Sequence, residues 1–299
     1  MTKLIFYDTR NRLISETNPK GLTIKYSYDP EGNLTSFNSS QLNANFSYDP
    51  LNRIKSLKIP SLNKEISYTY DNNGNRRTMT SPEGTTTYFY NNLNQLTELT
   101  NPYNEKTSYA YYPNGLLKSK TQANGIKEEF TYDKSGRLTK ITHPPLPEIS
   151  YTYDKIGNRL TMTMGTETTR YEYDNLYRLI KVIYPNGSSQ AFTYDSVGNR
   201  MQTTDHRQQT TDYKYNETDQ LLKAGNTTYG YDANGNLIKK VDSRQETGYR
   251  YDYENRLTQI TFPDQSTQTF TYCPLGKRIA KDNSIFLYDG DDLIAEYDP

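Results

Sequence analysis

The sequence predicts an all-β protein, an antiparallel meander of β-hairpins copied along the chain. Three observations predict it. A phrase of aromatic, any residue, Tyr, Asp, two residues, then Gly or Asn recurs throughout the 299 residues. Within the phrase the aromatics alternate with other residues, which is the period of a strand. No window shows the 3.6-residue periodicity of a helix.

The phrase is anchored at Tyr7, Tyr28, Tyr48, Tyr70, Tyr90, Tyr111, Tyr132, Tyr153, Tyr173, Tyr194, Tyr215, Tyr231, Tyr251, Tyr272 and Tyr288, mostly 20 to 22 residues apart. A fixed period of that size means one supersecondary unit copied into an array. The prediction is therefore a single array over 1–299, about 15 units of 20–21 residues. Fourteen units carry Tyr or Phe two positions before the anchor, and only Ile5 departs. Both aromatics then sit on one face of the strand.

Each strand should end in a turn. Asp29-Pro30-Glu31-Gly32 matches a type I turn, with Asp first, Pro second and Gly fourth. The carboxylate can accept backbone amides ahead of it, and the fourth residue should adopt positive φ as a bulge into the next strand. The pattern marks Tyr28, Asp29 and Gly32, then Tyr70, Asp71 and Gly74, Tyr153, Asp154 and Gly157, Tyr194, Asp195 and Gly198, and Tyr231, Asp232 and Gly235, as structural repeat positions. Asn11, Asn52, Asn94, Asn255, Asp219 and Asp292 take the fourth place elsewhere, and Tyr177 is an exception without an explanation. Gly and Asn copies nearly alternate, giving a larger repeat of about 41 residues that Gly136 and Tyr177 interrupt.

Midway turns are expected at Asn18–Gly21, Ser81–Gly84, Gln122–Gly125 and Tyr184–Gly187. Two units of 16 residues need tight connections at Gly225-Asn226 and Asp282-Asn283. His143-Pro144-Pro145-Leu146-Pro147 holds too many prolines for a strand and reads as a surface loop. So long a twisted sheet must curl into a curved or spiral strip.

Composition argues against an ordinary core. Leu, Ile, Val and Phe make up about 18% of the chain, a range shared with disordered proteins. Thirty Tyr in register and zero net charge oppose disorder. Tyr buries a ring while its hydroxyl finds a polar partner. Thirty-five basic and thirty-five acidic residues are interspersed, without the basic footprint of a nucleic-acid binder. No stretch approaches the ~20 apolar residues of a membrane span, and the start shows no signal peptide.

Tyr-Asp-x-x-Gly-Asn-Arg, at Tyr70–Arg76, Tyr153–Arg159 and Tyr194–Arg200, resembles the YD repeat of the RHS family. That family includes bacterial Rhs and wall-associated polymorphic toxins, the C components of Tc toxins, and teneurins. Residues 288–299 resemble the entry to an RHS-associated core. The resemblance implies a β-shell strip, here incomplete, that encloses or scaffolds a C-terminal toxin or effector cargo. The implied partners are that cargo or the remaining shell segments. The implied setting is secreted or cell-surface, within a larger bacterial protein. No catalytic, metal or cofactor-binding residue is carried over, and no cofactor is expected.

Other readings compete. A carboxylate pair could do glycosidase work, but eleven anchors carry Asp at the turn position, Asp289 among them, and turn capping explains these together. His143 and His206 do not supply the ligand set of a Zn site. Cys273 stands where other units have Asp and reads as a tolerated turn substitution. Recurring Arg12, Arg53, Arg137, Arg178 and Arg256 could face turn carboxylates. Exposed Tyr could stack on sugar rings, which keeps a carbohydrate- or surface-binding adhesion module as the alternative. Unpaired strip ends would favour self-association.

Overall fold

The computed structural model describes residues 3–40 and 42–298. Met1, Thr2, Gln41 and Pro299, and with them the outer limits of the 1–299 array, lie outside the described residues. Among the described residues thirty strands run from β1 (Leu4–Tyr7) to β30 (Asp292–Tyr297), with one 3-10 turn at Pro60–Leu62. The fold is all-β, as the alternation predicted. Pairing is antiparallel between sequence neighbours, β1 with β2 (Leu13–Thr17), β2 with β3 (Thr23–Tyr28), and onward. The register slips at most anchor tyrosines, as between Phe6 and Tyr7 and between Ser27 and Tyr28. The slip leaves one residue of the second strand unpaired, Ile14 beside Tyr7 and Thr35 beside Tyr28, three residues past the positive-φ position.

The chain divides into two compact units. Unit 1 comprises residues 1–87 and 230–299. Its two stretches bury Phe37, Ala44, Ile66 and Tyr68 from the first and Phe270, Cys273, Phe286 and Leu287 from the second. A cavity of about 310 Å3 lies there, walled by Phe46, Leu57, Ile279 and Phe286 among others. Cys273 lines it and is only 5% exposed, so it serves as an apolar wall residue as well as a turn residue. Unit 2, residues 88–229, keeps most of its rings half-buried; Val182 is its one buried apolar residue among those described. Tyr, with an apolar body and a polar tip, suits such a sheet.

The turns follow the predicted chemistry, with differences. The fourth position has positive φ at Asn11 (62°), Gly32 (100°), Asn52 (59°), Gly74 (88°) and their equivalents. Tyr177 adopts it too, at φ 63°, although the left-handed region is costly for a bulky side chain. Asp292 does not. Strand β29 (Ser284–Asp289) turns into β30 through Gly290-Asp291, and Gly290, at φ 57°, takes the left-handed place. Asp289 is therefore no turn cap. Its hairpin is two residues long, and its carboxylate points into unit 1, 7% exposed.

His143–Pro147 is not a loop either. Strand β14 (Leu138–His143) turns through Pro144-Pro145 into β15 (Leu146–Tyr153), with Pro147 inside the strand. The ladder is irregular between Ile141 and His143, so a residue lacking an amide hydrogen is accommodated there. Ser81–Gly84 likewise closes a two-residue hairpin. The tight connections at Gly225-Asn226 and Asp282-Asn283 lie where expected, between Ala224 and Thr227 and between Lys281 and Ser284.

Candidate functional site

The residues that sequence reading singled out form a repeated joint between successive hairpins. Asp8 shows how a turn is held. Its Oδ1 accepts the amides of Arg10 and Arg12, each at 2.9 Å, and its Oδ2 accepts Arg12 Nε at 2.7 Å. Arg12 then leaves its own hairpin. Its Nη1 donates to the Asp29 carbonyl at 2.9 Å, and its guanidinium lies 4.9 Å from the Tyr28 ring centroid. The Tyr28 hydroxyl returns a bond to the Leu13 carbonyl at 2.9 Å. Three side chains thus tie this hairpin to the next.

The same joint recurs with Arg137, Tyr153 and Asp154, and with Arg178, Tyr194 and Asp195, at 2.8 and 2.9 Å to the Asp carbonyl. Arg53 over Tyr70 and Arg256 over Tyr272 repeat it with longer contacts of 3.4 Å to the carbonyls of Asp71 and Cys273. A guanidinium over a ring contributes about 0.5–1 kcal/mol at such half-wet sites.

Intervening units use a different connector. Asn33 Nδ2 donates to its own cap, Asp29 Oδ2, at 2.9 Å and onward to Asn52 Oδ1 at 2.9 Å. Asn199 reaches Asp219 Oδ1 at 2.7 Å, and Asn236 reaches Asn255 Oδ1 at 2.8 Å. Residues at the left-handed position of the next unit therefore serve as acceptors, which gives the Gly/Asn alternation a cause. Gly136 and Tyr177 do not break the phase, because Arg137 and Arg178 follow them and act as Arg12 does. Where the cap is Asn91 or Asn216, the partner is Gln95 or Gln220, at 2.8 and 2.7 Å. At the positions that carry Arg or Gln, a carboxylate cap goes with guanidinium and an amide cap with an amide.

These contacts set the electrostatics. The Asp49 carboxyl is held below its ordinary value, first by the Arg53 side-chain hydrogen bond, against partial desolvation, and then by backbone amides. The Asn75 side-chain bond does the same for Asp71, and that of Asn236 for Asp232. Burial is the first cause that raises Tyr28, Tyr48, Tyr70 and Tyr272 above the usual phenol.

The marked positions thus lie at strand ends and turns, apart from one another. Tyr153 Oη donates to Leu138 and Tyr194 Oη to Leu179, while Asp154, Asp195 and Asp232 cap their own turns. Gly157, Gly198 and Gly235 accept the positive φ, and Tyr231 ends its strand. Among the described residues no group of three His, Cys, Asp or Glu is placed to hold a metal ion.

One cluster escaped sequence reading. Asp289 Oδ1 accepts the Tyr68 hydroxyl at 2.8 Å and Arg76 Nη2 at 3.2 Å, with Arg76 Nη1 on Oδ2. Its only sequence signal was the absence of an Arg or Asn five residues past Tyr288.

Stacked hairpins whose joints are built mainly from Tyr, Asp and Arg or Asn define a YD-repeat structural protein. A model of the teneurin YD-shell matches residues 63–167 and 158–287, and one of the RHS repeat matches 7–36. The chain belongs to the YD-shell family. Among curated proteins no sequence matches. A crystal structure of TcdB2-TccC3 is similar at TM-score 0.58 and 15% identity, covering 97% of this chain and 21% of that one. TcdB2-TccC3-TEV gives 0.57 and 16% over 91% and 20%. A Photorhabdus luminescens Tc holotoxin pore gives 0.58 and 15% over 95% and 20%. At that identity the likeness is one of fold, and the chain spans about a fifth of those chains.

Proposed function

We propose that this chain is a non-catalytic wall segment of a YD-repeat shell, enclosing or scaffolding a cargo carried on other sequence. One observation carries the reading. The carboxylates, guanidinia and phenols that could do chemistry are taken up, unit after unit, by the joint between hairpins. The cluster that does not repeat, Tyr68, Arg76 and Asp289, is likewise taken up by mutual hydrogen bonds. Family membership and the Tc-like fold support the reading. Its partners are then a toxin or effector cargo and the remaining wall, and its setting is outside the producing cell. Among the described residues no helix is long and apolar enough to cross a membrane.

The test is proteolysis of a fusion carrying an unfolded reporter after Pro299. Protection of the reporter supports enclosure, and cleavage at the free reporter's rate limits the segment to scaffolding. Turnover of any substrate in a broad sugar and peptide panel would overturn the non-catalytic reading.

Adhesion to glycans rests on two side chains. Tyr103 and Tyr177 are 73% and 61% exposed on turn tips of unit 2, whereas several anchor rings lie under Arg. Glycan-array binding lost in a Tyr103→Ala, Tyr177→Ala variant would favour it.

A further inference from the structure

The cavity of about 310 Å3 in unit 1 has a floor and a mouth of different character. Phe37, Ala44, Phe46, Leu57, Ile279 and Phe286 make the floor, with Cys273 beside them. Phe37, Ala44, Cys273 and Phe286 are only 2–5% exposed. At the mouth stand Leu275, 51% exposed, and the ion pair of Lys277 with Asp291, whose side chains are 33% and 96% exposed. The wall strands are β4 (Leu34–Asn38), β5 (Asn43–Tyr48), β6 (Ile54–Ile59), β28 (Arg278–Lys281) and β29. Each of them pairs with a strand on both sides, so the cavity does not arise from a terminal edge.

We propose that this cavity binds a single-chain aliphatic carboxylate of about ten carbons, tail on the floor and head group on Lys277. The walls select an aliphatic tail. Ladder pairing takes up the backbone donors and acceptors of the wall strands, so a peptide on the floor would leave its own amides unpaired. Polar side chains in the lining are few. Tyr68 spends its hydroxyl on Asp289 at 2.8 Å, Tyr288 carries the one other hydroxyl, and Lys277 and Asp291 hold each other at the mouth. Lys277 is the one cation in the lining, and it selects an anionic head. Its present counterion is almost wholly in water, so an incoming carboxylate exchanges with Asp291 and no new charge is buried. Volume sets the length. A chain carbon takes about the liquid volume of a water molecule, roughly 30 Å3, so about ten fill the space. A two-chain lipid is too large for it. Small-molecule sites commonly have this form, apolar walls with a few placed polar groups. The inference stands whether or not the wall encloses a cargo.

Calorimetry of the 299-residue chain with decanoate tests it. Each buried methylene multiplies affinity about 4-fold, so octanoate should bind about 15-fold more weakly than decanoate. Tetradecanoate should bind no more tightly than decanoate, because the cavity is then full. Lys277→Gln, a change at the solvent-facing mouth, should weaken decanoate about 5-fold and leave decanol unaffected. Asp291→Asn, which removes the competing carboxylate, should tighten decanoate. Cys273 is the single cysteine of the chain, so decanoate should slow its alkylation by N-ethylmaleimide. Absence of decanoate binding overturns the proposal. Affinity that keeps rising through tetradecanoate also overturns it, since that marks adsorption to exposed apolar surface. Binding that leaves Cys273 unprotected places the ligand elsewhere and overturns it too, and an unchanged decanoate affinity in Lys277→Gln overturns the head-group assignment.

Discussion

Tyr68 donates its hydroxyl to Asp289 at 2.8 Å across 221 residues of sequence. The bond joins β7 (Lys64–Tyr70) to β29, so the two stretches of unit 1 are clasped by a polar contact inside an apolar surround. Tyr68 is 8% exposed and Asp289 7%. Burial, and then the carboxylate itself, push the Tyr68 phenol well above its ordinary value, which keeps the donor protonated. Arg76 supplies the countercharge that a buried carboxylate requires.

Replacing Asp289 with Ala should therefore lower stability by about 2–3 kcal/mol, since it strips acceptors from Tyr68 and Arg76 at once. Tyr68→Phe, which leaves the carboxylate with Arg76, should cost about 1 kcal/mol. Urea unfolding measures both. Equal losses in the two variants would mean that Arg76 adds nothing to the clasp.

Tyr177 holds the left-handed region where other units place Gly, Asn or Asp. Tyr177→Gly should relieve that strain, against glycine's own entropic cost. Tyr177→Asn should raise stability by about 1 kcal/mol from strain relief alone. It also places an amide oxygen 19 residues after Asn158, as Asn52 stands to Asn33. Asn should thus exceed Gly in melting temperature, and the reverse order would refute the Asn-to-Asn connector.

The pairing of Asp with Arg and Asn with Gln should appear as coupling. Asp174→Asn leaves Arg178 without its 2.7 Å carboxylate partner, and Arg178→Gln leaves Asp174 without its guanidinium. The double variant recreates the Asn91–Gln95 arrangement. Its melting temperature should lie above the value obtained by adding the two single losses. An additive cycle would show that the swap carries no compensation.

Acid should unfold the chain steeply. Asp8, Asp49, Asp71, Asp133, Asp174 and Asp232 have carboxyls lowered below the ordinary value. Near pH 4 the unfolded chain then binds more protons than the folded one, so stability falls as pH falls. The contribution is complete above the unfolded value of about 3.9 and is lost as pH drops through the lowered folded values. Replacing one cap, Asp49→Asn, should reduce proton uptake on acid unfolding. An unchanged uptake would mean that this cap is not engaged in solution.

Strand identity was legible because alternation is local, and Tyr68-x-Tyr70 writes its own geometry. So was the left-handed position, because glycine and asparagine are among the few residue types that tolerate it. The partner of Arg12 was not legible. Its contact, the Asp29 carbonyl, lies 17 residues on, and only the stacking of hairpins decides that the two meet. Asp289 misled for the same reason. It follows a Tyr as every turn Asp does, yet a two-residue hairpin removes the amides it would have capped. Pro147 misled because a local rule for strands is relaxed where the ladder is already irregular.

The two alternating connectors impose a parity on the array. Arg12, Arg53, Gln95, Arg137, Arg178, Gln220 and Arg256 stand in odd units, and Asn33, Asn75, Asn158, Asn199 and Asn236 in even ones. Duplication or loss of a single unit would set two like connectors side by side. An Asn side chain would then meet a Gly turn with no amide or carboxylate to accept it. Insertion of two units restores every contact. A gene that lengthens or shortens its product in steps of about 41 residues keeps these connectors in phase, a reading frame above the codon.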